Sequence, residues 1–482
     1  MHARLLFLTP RLGLLLLLLA WLAGCAVAPP TPRPTPAPEP VGLEPLADDT
    51  AFRTQQVALL LPLSGRLSAA GEAVLEGVSA AHFSLPPEQR GALRIYDTGE
   101  RPEATWQQYQ QAITDGATLV IGPLDRAAVD NLARRDHLSV PVIALNRSTL
   151  PGPYPRGLHQ FALSPEDEAS QVALRAAQQG LFDAVIIASR DELGERIVDA
   201  FSARYRQLGG TIRDVQFYVP GGVDFRDTIV SGLEVIDPLP THRQRADAHR
   251  MEPEEIEALV DRLDWMDIAL DEDWMENANI MRLMRGGITA EELSEQLMSV
   301  ITEPEVEAQM QRLERLDNPP PRRQDVDMVF LVGDARQARL IRPQLRYYHA
   351  GNLPVLSTSQ VFSGRADARA DGDLDDIIFA DMPWLVDPNH AARLDWLEDL
   401  SPSAQQRRRL VGLGHDALML GWEIDRLNIQ AEHSFTGLTG HLCLDDQGWI
   451  RRELSFGQFR RGVPQPARTP PQGFYQSFEG QP

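Results

Sequence analysis

The stretch "VALLLPLSGRLSAAGEAVLEGVSAAHF", residues 57 to 83, decides the fold. It begins with an apolar run, turns at Ser64 and Gly65, and continues with a helical pattern of small and apolar residues. A short apolar run followed by a tight turn and a helix indicates one unit of a parallel α/β sheet. Ligands of such sheets bind outside the carboxyl ends of the strands, so we expect Ser64 and Gly65 to line a cleft.

Short apolar runs alternate with helical patterns along the rest of the chain. Ser164 and Pro165 are typical of the cap and the first position of a helix, and four strands precede that helix. A second set of strands follows it, and the chain ends in the β-rich stretch "TGHLCLDDQGWIRRELSFGQF". This order predicts an α/β fold with two open parallel sheets, flanked by helices, that face one cleft. The predicted strands are residues 57–63, 93–98, 118–124, 141–146, 183–189, 325–333 and 353–359, and the predicted helices include residues 104–115, 126–136 and 166–179.

The composition excludes several classes of function. The net charge is -22, and phosphate binding needs clustered cations, so we expect no nucleic-acid partner. The sequence contains no lysine, and its 46 basic residues are all arginine. A Walker A loop, a Schiff-base enzyme and an S-x-x-K acyl-transfer site each need a lysine amine, so none of them is present.

The N-terminus indicates export and a lipid anchor. A short basic start precedes an apolar run from Leu14 to Ala23, which is typical of a secretory signal and short for a membrane span. The run ends in Leu-Ala-Gly-Cys25, which resembles the lipobox of bacterial lipoproteins, where the cysteine thiol is joined to diacylglycerol. The alternative is an ordinary signal peptide with a chance cysteine. We predict cleavage before Cys25 and lipidation of its thiol.

The segment after Cys25 is a predicted tether. Residues 26 to 54 are rich in proline, which favours extended polyproline II geometry. Ala26 stands where an inner-membrane retention signal would carry Asp, so analogy with such lipoproteins favours the periplasmic face of the outer membrane. The second cysteine, Cys443 in "HLCLDD", is interpreted as a buried small hydrophobe.

Residues 241 to 325 break the α/β pattern. They carry 21 acids against 10 arginines and seven of the eleven methionines, with apolar residues at helical spacing. One interpretation is a helical insertion that packs on its own lobe. The other is a surface that binds a protein partner, because flexible methionines suit adaptable contacts. The candidate contact residues are Trp265, Met266, Trp274 and Met281.

The turns at the strand ends supply candidates for a cleft site. Backbone N–H groups and short polar side chains there are suited to a small ligand, and Arg147 and Asp381 are the candidate partners for a carboxylate and an ammonium. The alternative is that these turns are only scaffold. The cleft candidates are Ser64, Gly65, Gly122, Asn146, Arg147 and Asp381.

Catalytic and metal-binding motifs find little support. "GLGHDA", residues 412 to 417, fits G-x-G-x-x-A but lacks the strand and the acidic residue of a dinucleotide site, so we interpret it as a helix that packs closely through its glycines. No H-E-x-x-H, Cys/His cluster or G-x-S-x-G occurs, and we expect no metal and no cofactor. A carboxylate pair drawn from Asp97, Asp125 and Asp381 stays open, although helix capping is the simpler role.

The dispersed core stretches resemble one family. They include "VIGPLDRAAVDNL" (120–132), "FALSPEDEA" (161–169), "DLDDIIFADMPWL" (373–385) and "RRLVGLGHDALML" (408–420), and the likeness covers about residues 55 to 465. The chain thus resembles the penicillin-binding-protein activator lipoproteins of the LpoA (YraM, LppC) type. Long members of that family carry an N-terminal helical-repeat domain, whereas here a proline-rich tether leads directly to the first strand.

The resemblance implies a type-I periplasmic-binding-protein-like fold of two lobes. It implies a non-enzymatic function: binding a class A penicillin-binding protein and stimulating its transpeptidase activity, with peptidoglycan as a further possible partner. The alternative is a solute-binding lipoprotein that holds an amino acid or small peptide for a transporter. The expected divisions are a signal peptide at 1–24, the lipidated cysteine and tether at 25–54, lobe 1 at 55–165, lobe 2 at 166–380 with the insertion 241–325, a return to lobe 1 at 381–450, and the end of lobe 2 with the C-terminal tail at 451–482.

Overall fold

The computed structural model describes residues 56–235, 321–391, 394–429, 434–445 and 447–468. The predictions for the signal peptide, for Cys25 and for the tether lie outside these residues. So do the four candidate contact residues of the insertion, Trp265, Met266, Trp274 and Met281. Within the described residues, no helix is both long and apolar enough to cross a lipid bilayer.

Fifteen strands form two sheets in the described part of the chain. The first sheet contains β1 (Gln56–Leu61), β2 (Ala92–Asp97), β3 (Leu119–Ile121), β4 (Val142–Ala144), β5 (Leu158–Phe161), β11 (Phe435–Thr436), β12 (His441–Leu444) and β13 (Trp449–Glu453). Its spatial order is β11-β12-β13-β5-β4-β3-β1-β2, and it is parallel from β2 to β13. Strands β11 and β12 add an antiparallel edge.

The second sheet repeats this plan. It contains β6 (Asp183–Ser189), β7 (Thr211–Tyr218), β8 (Met328–Val332), β9 (Val355–Ser357), β10 (Ile378–Asp381), β14 (Ser455–Arg460) and β15 (Val463–Pro466). The order is β15-β14-β10-β9-β8-β6-β7, parallel from β7 to β10 and antiparallel beyond it. Central strands of a parallel sheet are buried on both faces, which explains why β6 and β8 are almost continuous apolar runs.

Helices cover both sheets. They are α1 (Ser68–Ser84), α2 (Thr105–Thr114), α3 (Arg126–Ala133), α4 (Pro165–Gln178), α5 (Glu192–Gln207), α6 (Arg226–Gly232), α7 (Ala335–Leu345), α8 (Pro383–Val386), α9 (Pro388–Ala391), α10 (Pro402–Gln405) and α11 (Arg408–Ile429). We call the first sheet with α1–α3 and α11 the first lobe, and the second sheet with α4–α7 the second lobe.

The long helix α11 packs on α1 through glycines. A Cβ on Gly414 would lie 2.1 Å from the carbonyl oxygen of Val74, and a Cβ on Gly77 would lie 1.9 Å from that of Val411. The two backbones are therefore close enough that only glycine fits at both positions. This geometry confirms the interpretation of "GLGHDA" as a closely packed helix.

In the described residues, the chain passes between the two sheets three times. The first crossover joins β5 to α4 at residues 161–165, and the second returns from β10 to α11 between residues 381 and 408. In the third, Leu454 alone separates β13 of the first sheet from β14 of the second. Two parallel sheets joined in this way confirm the predicted two-lobed α/β fold.

Several sequence predictions are corrected by the structure. The run 118–124 forms a strand only to Ile121, because Gly122 turns the chain with φ +100°. Strand β5 was not predicted, since its four residues are too short to show a pattern. Strand β7 was not predicted either, because it lies at an edge of its sheet and most of its residues are only half-buried. The prediction of a buried Cys443 is wrong: the residue is exposed on β12.

Candidate functional site

Ser64 and Gly65 lie just beyond the carboxyl end of β1, as predicted, and both are exposed. The carboxylate of Asp97, at the end of β2, accepts hydrogen bonds from the backbone N–H groups of Leu63 and Gly99 at 2.8 and 2.9 Å. Burial opposes ionisation, yet these bonds and one from Ser64 hold the pKa of Asp97 below its usual range. Asp97 thus braces the turn at this edge of the sheet.

Gly122 has a packing role in the structure. A Cβ at this position would lie 2.1 Å from the carbonyl oxygen of Leu60 on the neighbouring strand. Its N–H donates to the carbonyl oxygen of Ile143 at 2.8 Å. The N–H that a ligand would have used is therefore bound within the first sheet.

Asn146 and Arg147 follow β4, and Arg147 reaches across to the second lobe. The side-chain amide of Asn146 donates to the carbonyl oxygen of Leu124 at 3.1 Å, which holds the loop. The Arg147 guanidinium pairs with both oxygens of Asp167, in the first turn of α4, with Nη1 to Oδ1 at 3.0 Å. Its charged group also lies 4.6 Å from the ring centre of Trp449. The predicted carboxylate-binding arginine is thus occupied by a carboxylate of the same chain.

Asp381 ends β10 and is 1% exposed. Arg409, in the first turn of α11, donates Nε to Oδ1 at 3.0 Å and Nη2 to Oδ2 at 2.5 Å. The same Nη2 donates to the carbonyl oxygens of Ser359 and Phe362, both at 2.9 Å. The predicted partner of an ammonium is therefore neutralised by an arginine from the other lobe.

A second charged pair lies beside it. Glu168 on α4 and Arg452 on β13 are 5% and 6% exposed, and their charged groups are 3.8 Å apart. Glu168 also accepts from the backbone N–H of Ser359 at 3.1 Å. Burial raises the pKa of Glu168, while Arg452 opposes this effect. Burial likewise lowers the pKa of Arg452, with Glu168 opposing.

The sequence analysis did not identify Asp167, Glu168, Arg409 or Arg452 as parts of this site. Acids in the first turn of a helix favour its dipole, so "SPEDEA" is interpreted locally as a helix start. The one feature of the sequence that could have identified them is their place in the chain. Each of these residues lies within a few positions of a segment where the chain passes from one sheet to the other. Their pairing depends on which ends meet in space.

The remaining candidates for chemistry have structural partners. Asp125 caps α3, accepting from the backbone N–H groups of Ala127 and Ala128 at 2.9 and 3.2 Å. Asp97 accepts hydrogen bonds within a turn and Asp381 is in an ion pair, so each of the three predicted carboxylates has a structural partner. Among the described residues, no group of three or more His, Cys, Asp and Glu side chains is placed to hold a metal ion.

The chain on either side of residues 236–320 meets at one point. The N–H of Arg323 donates to the carbonyl oxygen of Leu233 at 3.0 Å. Arg323 also pairs with Glu234 at 3.1 Å and with Asp325 at 2.7 Å. The second lobe is thus closed at the position where this segment leaves and rejoins it.

The described residues form two lobes with parallel sheets, joined by three crossovers, which is a periplasmic-binding-protein-like fold. The C-domain of LpoA from Haemophilus influenzae, described as a regulator of PBP1A, superposes with a TM-score of 0.54 at 18% identity, over 86% of this chain and 100% of that one. A "putative branched-chain amino acid ABC transporter" from Chromobacterium violaceum superposes with a TM-score of 0.54 at 22% identity, over 84% of this chain and 100% of that one. At these identities the likeness shows the fold.

The family follows from the sequence match. The sequence model of the family described as "LppC putative lipoprotein" matches residues 33–238 and 268–462. The chain belongs to this family of cell-envelope lipoproteins. Curated relatives include the penicillin-binding protein activator LpoA of Photobacterium profundum, 24% identical over 425 residues, which are 87% of this chain and 58% of that protein. The LpoA of Haemophilus ducreyi is 35% identical over 163 residues, 34% of this chain and 27% of that protein. The chain thus spans little more than half the length of the relatives that match most of it.

Proposed function

We propose that this protein is a non-enzymatic regulator of peptidoglycan synthesis, which binds a class A penicillin-binding protein and stimulates its transpeptidase. The observation that carries the proposal is the family match, which runs through both lobes, to relatives named penicillin-binding protein activator. The two-lobed C-domain of one such relative is described as a regulator of PBP1A.

The geometry between the lobes favours a protein partner over a small solute. An amino acid in a cleft needs a cation for its carboxylate and an anion for its ammonium. Arg147 and Asp381 were the candidates, and both are paired with side chains of the opposite lobe. Binding a solute through them would require breaking these pairs, which supports a regulatory role over solute transport.

The direct test combines binding and activity. The purified protein is immobilised, a class A penicillin-binding protein is passed over it, and transpeptidation is measured with and without the protein. We expect retention of the synthase and an increased rate of cross-linking. No retention together with no rate change contradicts the proposal.

A thermal-shift series with amino acids and muropeptides tests the alternative of a solute-binding protein. A true ligand at a hundred times its dissociation constant would stabilise the protein by about 2.7 kcal/mol. Such a shift without any effect on the synthase would favour the solute-binding function. Peptidoglycan as a partner is tested by sedimentation with purified sacculi.

We further propose that Cys25 carries the lipid and places the protein at the periplasmic face of the outer membrane. Its support is the lipoprotein family and the lipobox-like sequence before Cys25. Two acyl chains hold a protein stably at a membrane, because each buried methylene contributes about 0.8 kcal/mol. Mass spectrometry of the N-terminal peptide tests the lipid, and separation of the inner and outer membranes tests the location: the Cys25→Ser variant is expected to be absent from the outer-membrane fraction.

The insertion is the proposed contact with the synthase, through Trp265, Met266, Trp274 and Met281. Its support is the methionine content and the charge of this segment. Since Leu233 and Arg323 are already joined by a hydrogen bond, residues 236–320 can be replaced by a short Gly-Ser linker with little strain on the lobe. Loss of synthase binding with an unchanged melting temperature supports the proposal, and unchanged affinity contradicts it.

A further inference from the structure

Four charged side chains meet where the chain crosses between the lobes. Glu168 follows the first crossover, Asp381 and Arg409 flank the second, and Arg452 immediately precedes the third. Glu168 and Asp381 belong to the second lobe, whereas Arg409 and Arg452 belong to the first. Each of the two ion pairs therefore joins one lobe to the other.

The two pairs form one network. Ser359, in the second lobe, donates its N–H to Glu168 at 3.1 Å, while its carbonyl oxygen accepts from Arg409 at 2.9 Å. The uncharged side chain of Gln171 on α4 binds the backbone of the third crossover. Its Nε2 donates to the carbonyl oxygen of Arg452, and its Oε1 accepts from the N–H of Leu454, both at 2.8 Å. The backbone of the third crossover is thus hydrogen-bonded to α4, the helix that follows the first crossover.

Because this network is buried, its ion pairs oppose movement of one lobe relative to the other. Glu168, Asp381 and Arg452 are each at most 6% exposed, and Arg409 is 24% exposed. A charge in such surroundings has no water to replace a lost partner, so separating either pair is strongly unfavourable. Each pair has one partner in each lobe, so any movement of the lobes that draws the partners apart leaves both charges buried and unpaired.

From this arrangement we infer that the network of Glu168, Asp381, Arg409 and Arg452 locks the angle between the lobes. The two lobes then keep one angle and do not open and close around a ligand as the lobes of hinged two-lobed receptors do. This inference goes beyond the proposed function and does not depend on it. The pair Arg147–Asp167 adds a further contact between the lobes.

The angle is measurable with two spin labels. Cys443 is exposed on the first lobe, and Asp199 is an exposed residue of α5 on the second lobe. The full chain with Cys25→Ser and Asp199→Cys carries two labelling sites, since the sequence has only two cysteines. In this parent protein, pulsed electron paramagnetic resonance is expected to show one narrow distance, unchanged by added amino acids, with any second conformer below about 1%.

Breaking the network is expected to release the angle. Arg409→Met and Arg452→Met each remove one cation, and we expect a second distance at a population above about 10%. The matched control is Arg196→Met, which removes a half-buried arginine paired with Glu166 at 2.5 Å, with both residues in the second lobe. This control is expected to keep the single narrow distance.

The single variants leave one buried charge without its partner and could fail to fold for that reason. The double variant Glu168→Gln with Arg452→Met avoids this problem, since it removes both charges of one pair and leaves none unpaired. A second distance in the network variants, absent in the control, supports the lock. One narrow distance in every variant overturns it, as does a broad or ligand-dependent distance in the parent. None of these readouts uses the synthase, so the lock and the proposed function fail independently.

Discussion

Substitution of Gly414 by alanine tests the packing of α11 on α1. The new Cβ would lie 2.1 Å from the carbonyl oxygen of Val74, whereas comfortable contacts between heavy atoms lie near 3.5 Å. The helices must therefore separate by more than about 1 Å, in a core where overpacking typically costs about 1–3 kcal/mol. Alanine returns up to about 1 kcal/mol through its higher helix propensity. We expect a net loss of about 1–2 kcal/mol in the free energy of unfolding.

Urea unfolding followed by tryptophan fluorescence measures this loss. Gly372→Ala is the control, because nothing lies within 4 Å of a Cβ at that position and its φ suits alanine. The control is expected to be neutral or slightly stabilising, by up to about 1 kcal/mol. If Gly414→Ala is as stable as Gly372→Ala, close packing of α11 on α1 does not require glycine at this position, and the reasoning is refuted.

Three further predictions follow from individual side chains. Asp416 is fully buried and accepts hydrogen bonds from the N–H groups of Leu438 and Thr439 at 2.9 and 2.7 Å. The substitution Asp416→Ala should therefore lower the free energy of unfolding by about 3–5 kcal/mol. A loss below about 1 kcal/mol in urea unfolding would contradict this role. The hydrogen bond from Arg323 lowers the pKa of Asp325 to about 2, below its unfolded value, so its stabilisation is present above about pH 4 and is lost as the pH falls toward 2. Because Asp325 is 45% exposed, the difference between the parent protein and Asp325→Asn should stay below about 1 kcal/mol at pH 6 and vanish near pH 2, as measured by thermal unfolding. Burial raises the pKa of the Cys443 thiol although the residue is exposed, so iodoacetamide should alkylate the folded protein slowly at pH 7 and faster as the pH rises; alkylation only after unfolding would refute the exposed position.

The sequence predicts the fold well where burial is complete. Strands β1, β6 and β8 are apolar runs because parallel strands are covered on both faces, and these runs are visible without any structure. Strand β7 escapes prediction because it has a neighbour on one side only, and its polar residues are tolerated at the edge. The fold class follows from the buried strands; of the edge strands, β2 is predicted by the run 93–98 and β7 is not.

The sequence predicts where the candidate site residues lie in the fold, but it does not predict which side chains they contact. Ser64, Arg147 and Asp381 do lie just beyond the ends of β1 and β4 and at the end of β10, as the rule for parallel sheets requires. Their partners could not be predicted, because a charged residue in a helical first turn looks the same whether it faces solvent or another lobe. Asp167 and Arg409 acquire their roles only when distant strand ends meet.

The pairing of β13 with β5 has a consequence for how the chain reaches its native state. Gln171 and Arg452, which hydrogen-bond at the third crossover, are 281 positions apart, and the parallel part of the first sheet is completed only when β13 pairs with β5. Bringing such distant segments together carries a loop-closure cost and slows folding. Until β13 arrives, β5 is an open edge able to pair with another chain. A chain in which β13 has not yet paired is therefore expected to be more prone to aggregation than the native protein.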